Sequence, residues 1–259
     1  MRRFSLSVAT TLASFAMTQL VSAADLPVKA PASPLGASYN WSGIYAGLNA
    51  GWGWVRDRGN TFCIDPTGVV NGFGCVSNAI AGAQIDGDGF IGGGQIGYNW
   101  QVNQWVFGVE ADIQGADIKG SVDIIFNTGE GPGRFVAHEK LNWLGTVRGR
   151  VGWAWDRLLI YGTGGFAYGG VDVDQNTIFP TVQYPSSVSM TKTGWTAGGG
   201  LEWAFYGNWS GKIEGLYYSL GSISTVGGAV GDATGYFGGK DFDVKGGIIR
   251  AGLNYKFFQ

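Results

Sequence analysis

The residues that could perform chemistry are few and scattered. His138 is the only histidine of the 259 residues, and no serine and acid accompany it in the pattern of a catalytic triad. Residues 87–92 read G-D-G-F-I-G and match a dinucleotide-binding loop by letters, but that loop needs a strand before it and a helix after it. Asp86 and Asp88 could bind a cation, yet the other ligands of a calcium loop are missing. The sequence therefore predicts no enzyme, no cofactor and no metal site.

Other charged residues follow an alternating pattern, which is clearest in residues 246–257. One face carries Ile249, Ala251, Leu253, Tyr255 and Phe257, and the other carries Ile248, Arg250, Gly252, Asn254 and Lys256. Because a strand turns alternate side chains to opposite faces, one face is apolar and the other is polar. An apolar face that ends in aromatic residues, opposite a charged face, is typical of a strand with lipid outside and a polar lumen inside.

The same alternation recurs along the chain and predicts eight strands. They lie at 41–54, 90–101, 105–114, 141–153, 158–170, 194–205, 209–220 and 246–257. Short connections alternate with long ones, as in barrels that have tight periplasmic turns and longer extracellular loops. The predicted fold is all-β: an eight-stranded antiparallel transmembrane up-and-down β-barrel with short periplasmic turns and long extracellular loops.

Aromatic residues mark both ends of these strands. Near the short turns lie Trp100, Trp105, Trp153, Trp155, Phe205, Tyr206 and Trp209, with Trp41 and Phe257 at the same level. Near the long loops lie Trp52, Trp54, Phe90, Trp143, Tyr168, Trp195 and Tyr217. Membrane proteins place such aromatic belts at the two membrane interfaces, and a soluble sandwich has no reason to do so.

Two of the long polar stretches contain residues that could belong to strands. Residues 122–126 and 135–137 are apolar enough to extend the flanking strands above the membrane. Residues 171–174 and 188–190 would make a ten-stranded barrel if they were separate spans, and we favour the interpretation that they extend the fifth and sixth strands.

The side chains expected inside the barrel carry charges of both signs. They are Glu110, Asp112, Arg148, Arg150, Glu202, Lys212, Glu214, Arg250 and Lys256. An eight-stranded barrel is only wide enough for side chains to fill it, and buried charges need partners. We favour a salt-bridge network that plugs the lumen. The alternative is the selectivity lining of a pore, since the first and fifth strands put small or neutral residues inward and leave room for a narrow water path.

Composition and the N-terminal residues indicate export. Arg2 and Arg3 precede an apolar stretch and a small-residue site at 21–23, so residues 1–23 are expected to be a signal peptide rather than a membrane anchor. Residues 24–38 are rich in proline and alanine and read as a periplasmic tether, and residues 39–259 as the barrel. The formal net charge of −2 gives no electrostatic case for nucleic-acid binding. We expect a mature protein in the bacterial outer membrane.

The two cysteines lie in one polar stretch of the predicted exported protein. Cys63 and Cys75 are expected to form a disulfide that closes a surface loop, with free thiols as the alternative.

Several segments resemble one known family. Residues 40–47 (NWSGIYAG), 94–100 (GQIGYNW), 161–165 (YGTGG) and 250–257 (RAGLNYKF) are similar to those of alphaproteobacterial outer-membrane β-barrel proteins, called porin-family proteins or surface antigens, whose barrel is related in kind to the OmpA transmembrane domain. The resemblance covers essentially the whole mature chain. It implies a structural, surface-exposed outer-membrane protein, with a small diffusion porin or a receptor for a ligand such as haemin as alternatives.

The resemblance also implies partners and a terminal signal. The expected partners are outer-membrane lipid, lipopolysaccharide, the barrel-assembly machinery and a host surface or small ligand at the loops. His138, Tyr184 and Tyr236 are the loop residues that could ligate haem iron. Tyr255 and Phe257 stand where the family's assembly machinery reads a terminal aromatic, although Phe258 and Gln259 follow.

Overall fold

A computed structural model describes residues 39–57, 61–64, 84–128, 131–180, 182–228, 230–231 and 237–257 of the chain. The predicted signal peptide and tether lie outside these residues. Within them, no helix has both the length and the apolar character needed to cross a membrane.

The described residues contain ten strands. They are β1 (Gly43–Asp57), β2 (Thr61–Ile64), β3 (Ile85–Val102), β4 (Trp105–Thr128), β5 (Gly131–Trp155), β6 (Leu158–Ile178), β7 (Val182–Tyr206), β8 (Trp209–Gly228), β9 (Val230–Gly231) and β10 (Phe237–Lys256). The eight long strands pair antiparallel with their chain neighbours, and β10 pairs with β1 through Ala251 and Ala50, which closes the ring. The short β2 pairs with the start of β10, and β9 pairs with β7. The predicted eight-stranded barrel is therefore confirmed.

The strands are longer than the sequence pattern predicts at one end of the barrel. β4 runs to Thr128 and β5 begins at Gly131, so residues 122–126 and 135–137 extend the flanking strands as predicted, and most of the polar stretch around them is strand as well. β6 likewise runs to Ile178 and pairs with β7, so the ten-span alternative is wrong. The physical reason is that these outer walls face water, where polar cross-strand pairs replace apolar residues.

Three two-residue turns join strands at the other end, which we call the tight-turn end. Their first residues are Asn103, Asp156 and Gly207, with φ of 56°, 52° and 50°. Positive φ strains most L-residues, and Asn, Asp and Gly tolerate it best. We call the opposite end, where the strands extend, the far end.

The outward face between the two ends is apolar. Its exposed side chains include Leu48, Ile96, Val109, Ile113, Val147, Ile160, Leu201, Ile213, Ile249 and Leu253. The lower belt, at the tight-turn end, includes Trp105 and Trp153, whose rings meet edge-on at 5.1 Å. The upper belt includes Trp195 and Tyr217, with ring centres 5.4 Å apart. We take the segments between the two belts as membrane-spanning.

Two predicted side-chain placements are wrong. Trp41 is not in the lower belt: it precedes the first residue of β1, shares the inward phase of Tyr45 and is buried in the barrel. Leu141, which the alternation in the predicted strand 141–153 puts on the lipid face with Trp143, is also buried, because the β5–β6 register shifts between Leu141 and Trp143. Such a bulge moves the alternation by one residue, so side chains beyond it point to the opposite face.

The barrel interior has three layers. At the tight-turn end lies a small apolar cluster of Trp41, Val106, Ala154, Leu159, Tyr161 and Ala204. At the far end lies a larger apolar cluster, the upper core, which includes Ile91, Ile118, Phe135, Leu144, Tyr218, Phe242 and Ile248. The predicted inward charges occupy the layer between these two clusters, except Lys256.

Candidate functional site

Four acids and four bases meet in the middle of the lumen. We call this group the lumen network: Glu110 and Asp112 from β4, Arg148 and Arg150 from β5, Glu202 from β7, Lys212 and Glu214 from β8, and Arg250 from β10. Their charges balance, and their side chains are only 0–3% exposed. The strand alternation brings them together because all of them lie in the inward phase of their strands.

Glu110 lies at the centre of the lumen network. Its Oε1 is 2.5 Å from Arg148 Nη2 and 2.9 Å from Lys212 Nζ. Arg150 and Arg250 approach the same carboxylate at 3.7 Å each. Arg148 is also its direct cross-strand partner on β5, so the barrel register itself places the closest contact.

Two arginines are shared between two acids. Arg148 Nη2 lies 3.0 Å from Asp112 Oδ2, and Arg148 Nη1 lies 3.0 Å from Glu214 Oε1. Arg250 Nη2 contacts the same two acids, at 2.9 Å from Asp112 and 2.6 Å from Glu214. Arg148, Asp112, Arg250 and Glu214 therefore form a closed ring of ion pairs in which acids and bases alternate. This ring links β4, β5, β8 and β10.

Two tyrosines complete the lumen network from β1 and β6, which contribute no charged side chain to it. The hydroxyl of Tyr45 donates to Glu110 at 2.7 Å, and the hydroxyl of Tyr161 donates to Glu214 at 3.0 Å. The guanidinium of Arg150 lies 4.9 Å from the ring centre of Tyr45 and 5.1 Å from that of Tyr161. These side chains stand on β1 and β6, the strands for which the sequence suggested a narrow water path.

A glycine on the neighbouring strand makes room for each tyrosine. A Cβ at Gly97 would overlap the Tyr45 hydroxyl, and a Cβ at Gly200 would come within 2.8 Å of the Tyr161 hydroxyl. The sequence therefore contained a pattern that could have predicted these contacts: an aromatic residue in the inward phase of one strand and a glycine in the inward phase of the next. The contacts were not predicted because neutral inward residues were taken to leave room for a water path.

Uncharged polar groups add hydrogen bonds to the part of the lumen network nearest the tight-turn end. Glu202 accepts from Ser210 at 2.6 Å and from Asn254 at 2.8 Å, and it pairs with Arg150 at 3.1 Å. Arg150 Nε also donates to Asn99 at 2.8 Å. Such bonds matter because a buried charge without partners is strongly destabilising.

Lys256 is the predicted interior charge that the structure does not bring into the lumen network. Its ammonium group lies 4.5 Å from the ring centre of Tyr39 and donates to the backbone oxygen of Asn40. Trp41 lies in the same segment, and its indole nitrogen donates to the backbone oxygen of Asp156 at 3.1 Å. Residues 39–42 thus fold into the tight-turn end of the barrel.

The other predicted site residues lie apart from the lumen. His138 is exposed on the outer face of β5, Tyr184 is buried with its ring 5.8 Å from Phe179, and Tyr236 is outside the described residues. Among the residues that the structure describes, no three His, Cys, Asp or Glu side chains group as a metal site. The predicted Cys63–Cys75 disulfide lies outside the described side chains.

Comparison with known proteins identifies the family. The family described as "Outer membrane protein beta-barrel domain" matches residues 10–257. The chain belongs to this outer-membrane β-barrel family. The 31 kDa outer-membrane immunogenic protein of Brucella melitensis is 36% identical over 260 residues, which cover 98% of this chain and 99% of that protein. This confirms the resemblance and the outer-membrane location that the sequence suggested.

A more distant relative has a similar name. The 25 kDa outer-membrane immunogenic protein of Brucella abortus is 27% identical over 231 residues, covering 89% of this chain and 85% of that protein. Among solved structures, the outer membrane protease OmpT of Escherichia coli matches with a TM-score of 0.42 and 13% identity, covering 87% of this chain and 100% of that one. The Brucella relatives are named as immunogenic proteins and not as enzymes.

Proposed function

We propose that this outer-membrane barrel is a structural, surface-exposed protein whose lumen is sealed by the lumen network. The observation that carries the proposal is the burial of all eight charged side chains at 0–3% exposure, with mutual ion pairs. A charged lining that serves a water-filled pore would instead expose its charges to the channel.

The layers on either side of the lumen network support a sealed lumen. Trp41 and its apolar neighbours fill the tight-turn end, and the upper core fills the far end. An ion that crosses the barrel would have to displace side chains of both apolar layers and separate at least one buried ion pair. Separating a buried pair leaves charges without partners in a low-dielectric lumen, which is strongly unfavourable and makes a steady open state rare.

The far end supports the surface-exposed part of the proposal. Its outer walls continue beyond the upper belt and carry polar pairs such as Ser187 to Asp174 at 2.5 Å and Arg134 to Asp123 at 2.8 Å. Outer-membrane barrels have their tight turns in the periplasm, so these walls would face the outside of the cell. The Brucella relatives are named immunogenic, and we propose that this chain presents its far end in the same way.

The terminal residues suit the proposed interaction with the assembly machinery. Phe257 points outward, its amide donates to the Ile44 oxygen at 2.9 Å, and its ring lies 5.4 Å from that of Tyr255. We expect deletion of Phe258 and Gln259, which lie outside the described residues, to leave assembly intact. Loss of the truncated barrel from outer-membrane fractions would contradict this.

A liposome-swelling assay with small sugars tests the sealed lumen against the diffusion-porin alternative. We expect liposomes that contain the refolded barrel to swell no faster than protein-free liposomes. Swelling rates that fall with sugar size would show a pore instead. The haemin-receptor alternative gains no specific support, because Tyr184 is buried while His138 lies exposed on the outer face of β5, so the two side chains do not form one site.

A further inference from the structure

The far end of the barrel consists of two walls that no continuous ladder joins. The pairing of β7 with β8 ends at Trp195 and Ser219, and beyond this level β7 pairs with β6 and, at its tip, with β9. The pairing of β3 with β4 ends at Gly87 and Gly120, so beyond it β4 pairs with β5 among the described residues. We call the extended parts of β4, β5, β6 and β7 the first wall, and those of β8 and β10 with β2 the second wall.

The upper core lies between the two walls. It joins Phe135 from the first wall with Ile223 and Phe242 from the second wall in one apolar cluster. Lys192 of β7 adds one bond across the junction, because its ammonium group donates to the Ser222 oxygen at 2.6 Å. Contact between the walls therefore depends on side-chain packing, so a change of charge inside the upper core can separate them.

Glu139 lies in the inward phase of β5 between Ala137 and Leu141, which both belong to the upper core. It is 2% exposed, and neither carboxylate oxygen has a hydrogen-bond partner among the described residues. Its direct cross-strand partners are Gly120 on β4 and Val173 on β6, and neither has a polar side chain. The first wall therefore holds an acid without a partner inside the apolar layer.

We propose that Glu139 is a pH-sensitive latch of the far end. When it is protonated, it stays in the upper core and the walls remain together; when it is ionised, it draws water between the walls and they part. An ionised carboxylate that is buried without a partner is strongly unfavourable, so the closed far end favours the protonated acid. Burial raises the pKa of Glu139 to about 7 from 4.5, which places the change near neutral pH. The inference goes beyond the sealed lumen and does not depend on it, because the lumen network lies nearer the tight-turn end.

Other ionisable groups also face the inside of the far end. Those that the structure describes are Tyr184 and Lys192 of β7, Tyr218 of β8, and the pair of Asp57 on β1 with Lys240 on β10. Burial raises the pKa of the Tyr218 hydroxyl, and so does Glu139, so Tyr218 stays neutral near pH 7. Burial lowers the pKa of Lys240 to about 8, so up to pH 7.5 it keeps most of its charge beside Asp57. On the outer face of β5, His138 is of the residue type that ordinarily changes charge in this range, which makes it the matched control.

Hydroxyl-radical footprinting of the refolded mature protein at pH 5.5 and pH 7.5 tests the latch. Phe135 and Phe242 lie on opposite walls and are 1% and 0% exposed, so their labelling reports separation of the walls. If opening returns the pKa of Glu139 to 4.5, the open population and the labelling should rise about twentyfold between these two pH values. Tyr161, which is buried at the tight-turn end, should stay unlabelled at both pH values.

Variants assign the response to one side chain. Glu139→Gln and Glu139→Met cannot ionise, so both should remain closed at pH 7.5, and the Met variant shows whether a buried amide disturbs the upper core. His138→Gln should respond like the wild type. Equal labelling of the wild type at both pH values would overturn the proposal. So would a rise that persists in both Glu139 variants, or one that Tyr161 shares, which would indicate global unfolding. Heat-modifiable migration on gels shows that each variant is folded.

Discussion

Arg148 Nη2 lies 2.5 Å from Glu110 Oε1 in the centre of the barrel, and the two residues are direct cross-strand partners on β4 and β5. The same backbone register that closes the barrel therefore sets the shortest ion pair of the lumen network. Arg148 also forms ion pairs with Asp112 and Glu214, so both the stability of the barrel and the closure of the lumen depend strongly on the Arg148 side chain.

Substitution of Arg148 by alanine should strongly destabilise the barrel. It leaves three buried acids with fewer cations, and removal of one partner of a buried pair costs about 3–5 kcal/mol. Urea unfolding of the refolded protein in lipid vesicles measures the loss. The control is Arg134→Ala, which breaks an exposed pair with Asp123 and should cost less than about 1 kcal/mol. Equal losses for the two variants would show that burial of the pair is unimportant.

The space that Gly97 leaves for Tyr45 should also be necessary for the stability of the barrel. Gly97→Ala places a methyl group on the Tyr45 hydroxyl and should destabilise by about 1–3 kcal/mol through overpacking. The matched control is Gly215→Ala, because a Cβ there meets nothing within 4 Å. The further substitution Tyr45→Ala removes the clash, so it should make Gly97→Ala nearly neutral in a double-mutant cycle. Additive losses would mean that the two residues do not compete for space.

Protonation of Glu139 should make the barrel more stable in mild acid than at a pH above neutral. It lies beyond the upper belt, 2% exposed, and neither carboxylate oxygen has a hydrogen-bond partner among the described residues. Burial raises the pKa of Glu139 to about 7 from 4.5. The folded state therefore binds a proton that the unfolded state releases between pH 4.5 and 7, so stability falls as pH rises through this window, by roughly 3 kcal/mol.

Unfolding measured at pH 5 and pH 8 tests the role of Glu139, with Glu139→Gln as the variant. The wild type should be less stable at pH 8, and the variant should lose most of this difference. Tyr218 faces Glu139 from β8, and burial and this acid raise the pKa of its hydroxyl above the usual value, so Tyr218 stays neutral across the window. A pH dependence that is unchanged in Glu139→Gln would assign it to another group.

The pair of Asp57 and Lys240 should hold the seam between β1 and β10 at the far end. The pairing of these strands ends at Val55 and Gly246, and beyond it Asp57 contacts the Lys240 ammonium and accepts from the Asp243 amide at 2.7 Å. Both side chains are fully buried. Asp57→Asn should therefore cost about 3 kcal/mol or more, because it leaves Lys240 buried without its charge partner.

Hydrogen exchange locates the effect of Asp57→Asn. Amides near the β1–β10 seam should lose protection before those of β4 and β5. Asp123→Asn, at an exposed pair, serves as the control and should change little. Uniform loss of protection around the ring would contradict a local role at the seam.

The alternation of side chains made most of the barrel predictable. Because lipid and lumen lie on opposite faces of each strand, the chemical type of a residue such as Leu253 or Arg250 is enough to predict which face its side chain occupies. The eight strands and the inward direction of the lumen-network residues followed from this period. A salt-bridge network between neighbouring strands followed from it as well, but the pairs that cross the lumen did not, because the partner of Arg148 on β8 depends on how side chains meet inside a closed barrel.

The parts that were missed have local physical causes. Strand ends such as Thr128 lie in water, where the apolar signal that marks a membrane strand is absent. The register shift after Leu141 interrupts the period by a single backbone irregularity that has no signature in the alternation itself, so Leu141 was placed on the wrong face. Trp41 shares the inward phase of Tyr45, and it was misplaced because it was grouped with the belt by its level alone.

Single-channel recording of the refolded mature protein in planar bilayers tests the sealed lumen most directly. The lumen network and the two apolar layers predict silence, or only rare and brief events, from the folded wild type. Arg148→Ala is the informative variant, since loss of this side chain should make openings more frequent. Steady conductance from the folded wild type, altered by Arg148→Ala, would contradict the account and show that these charges line an open pore.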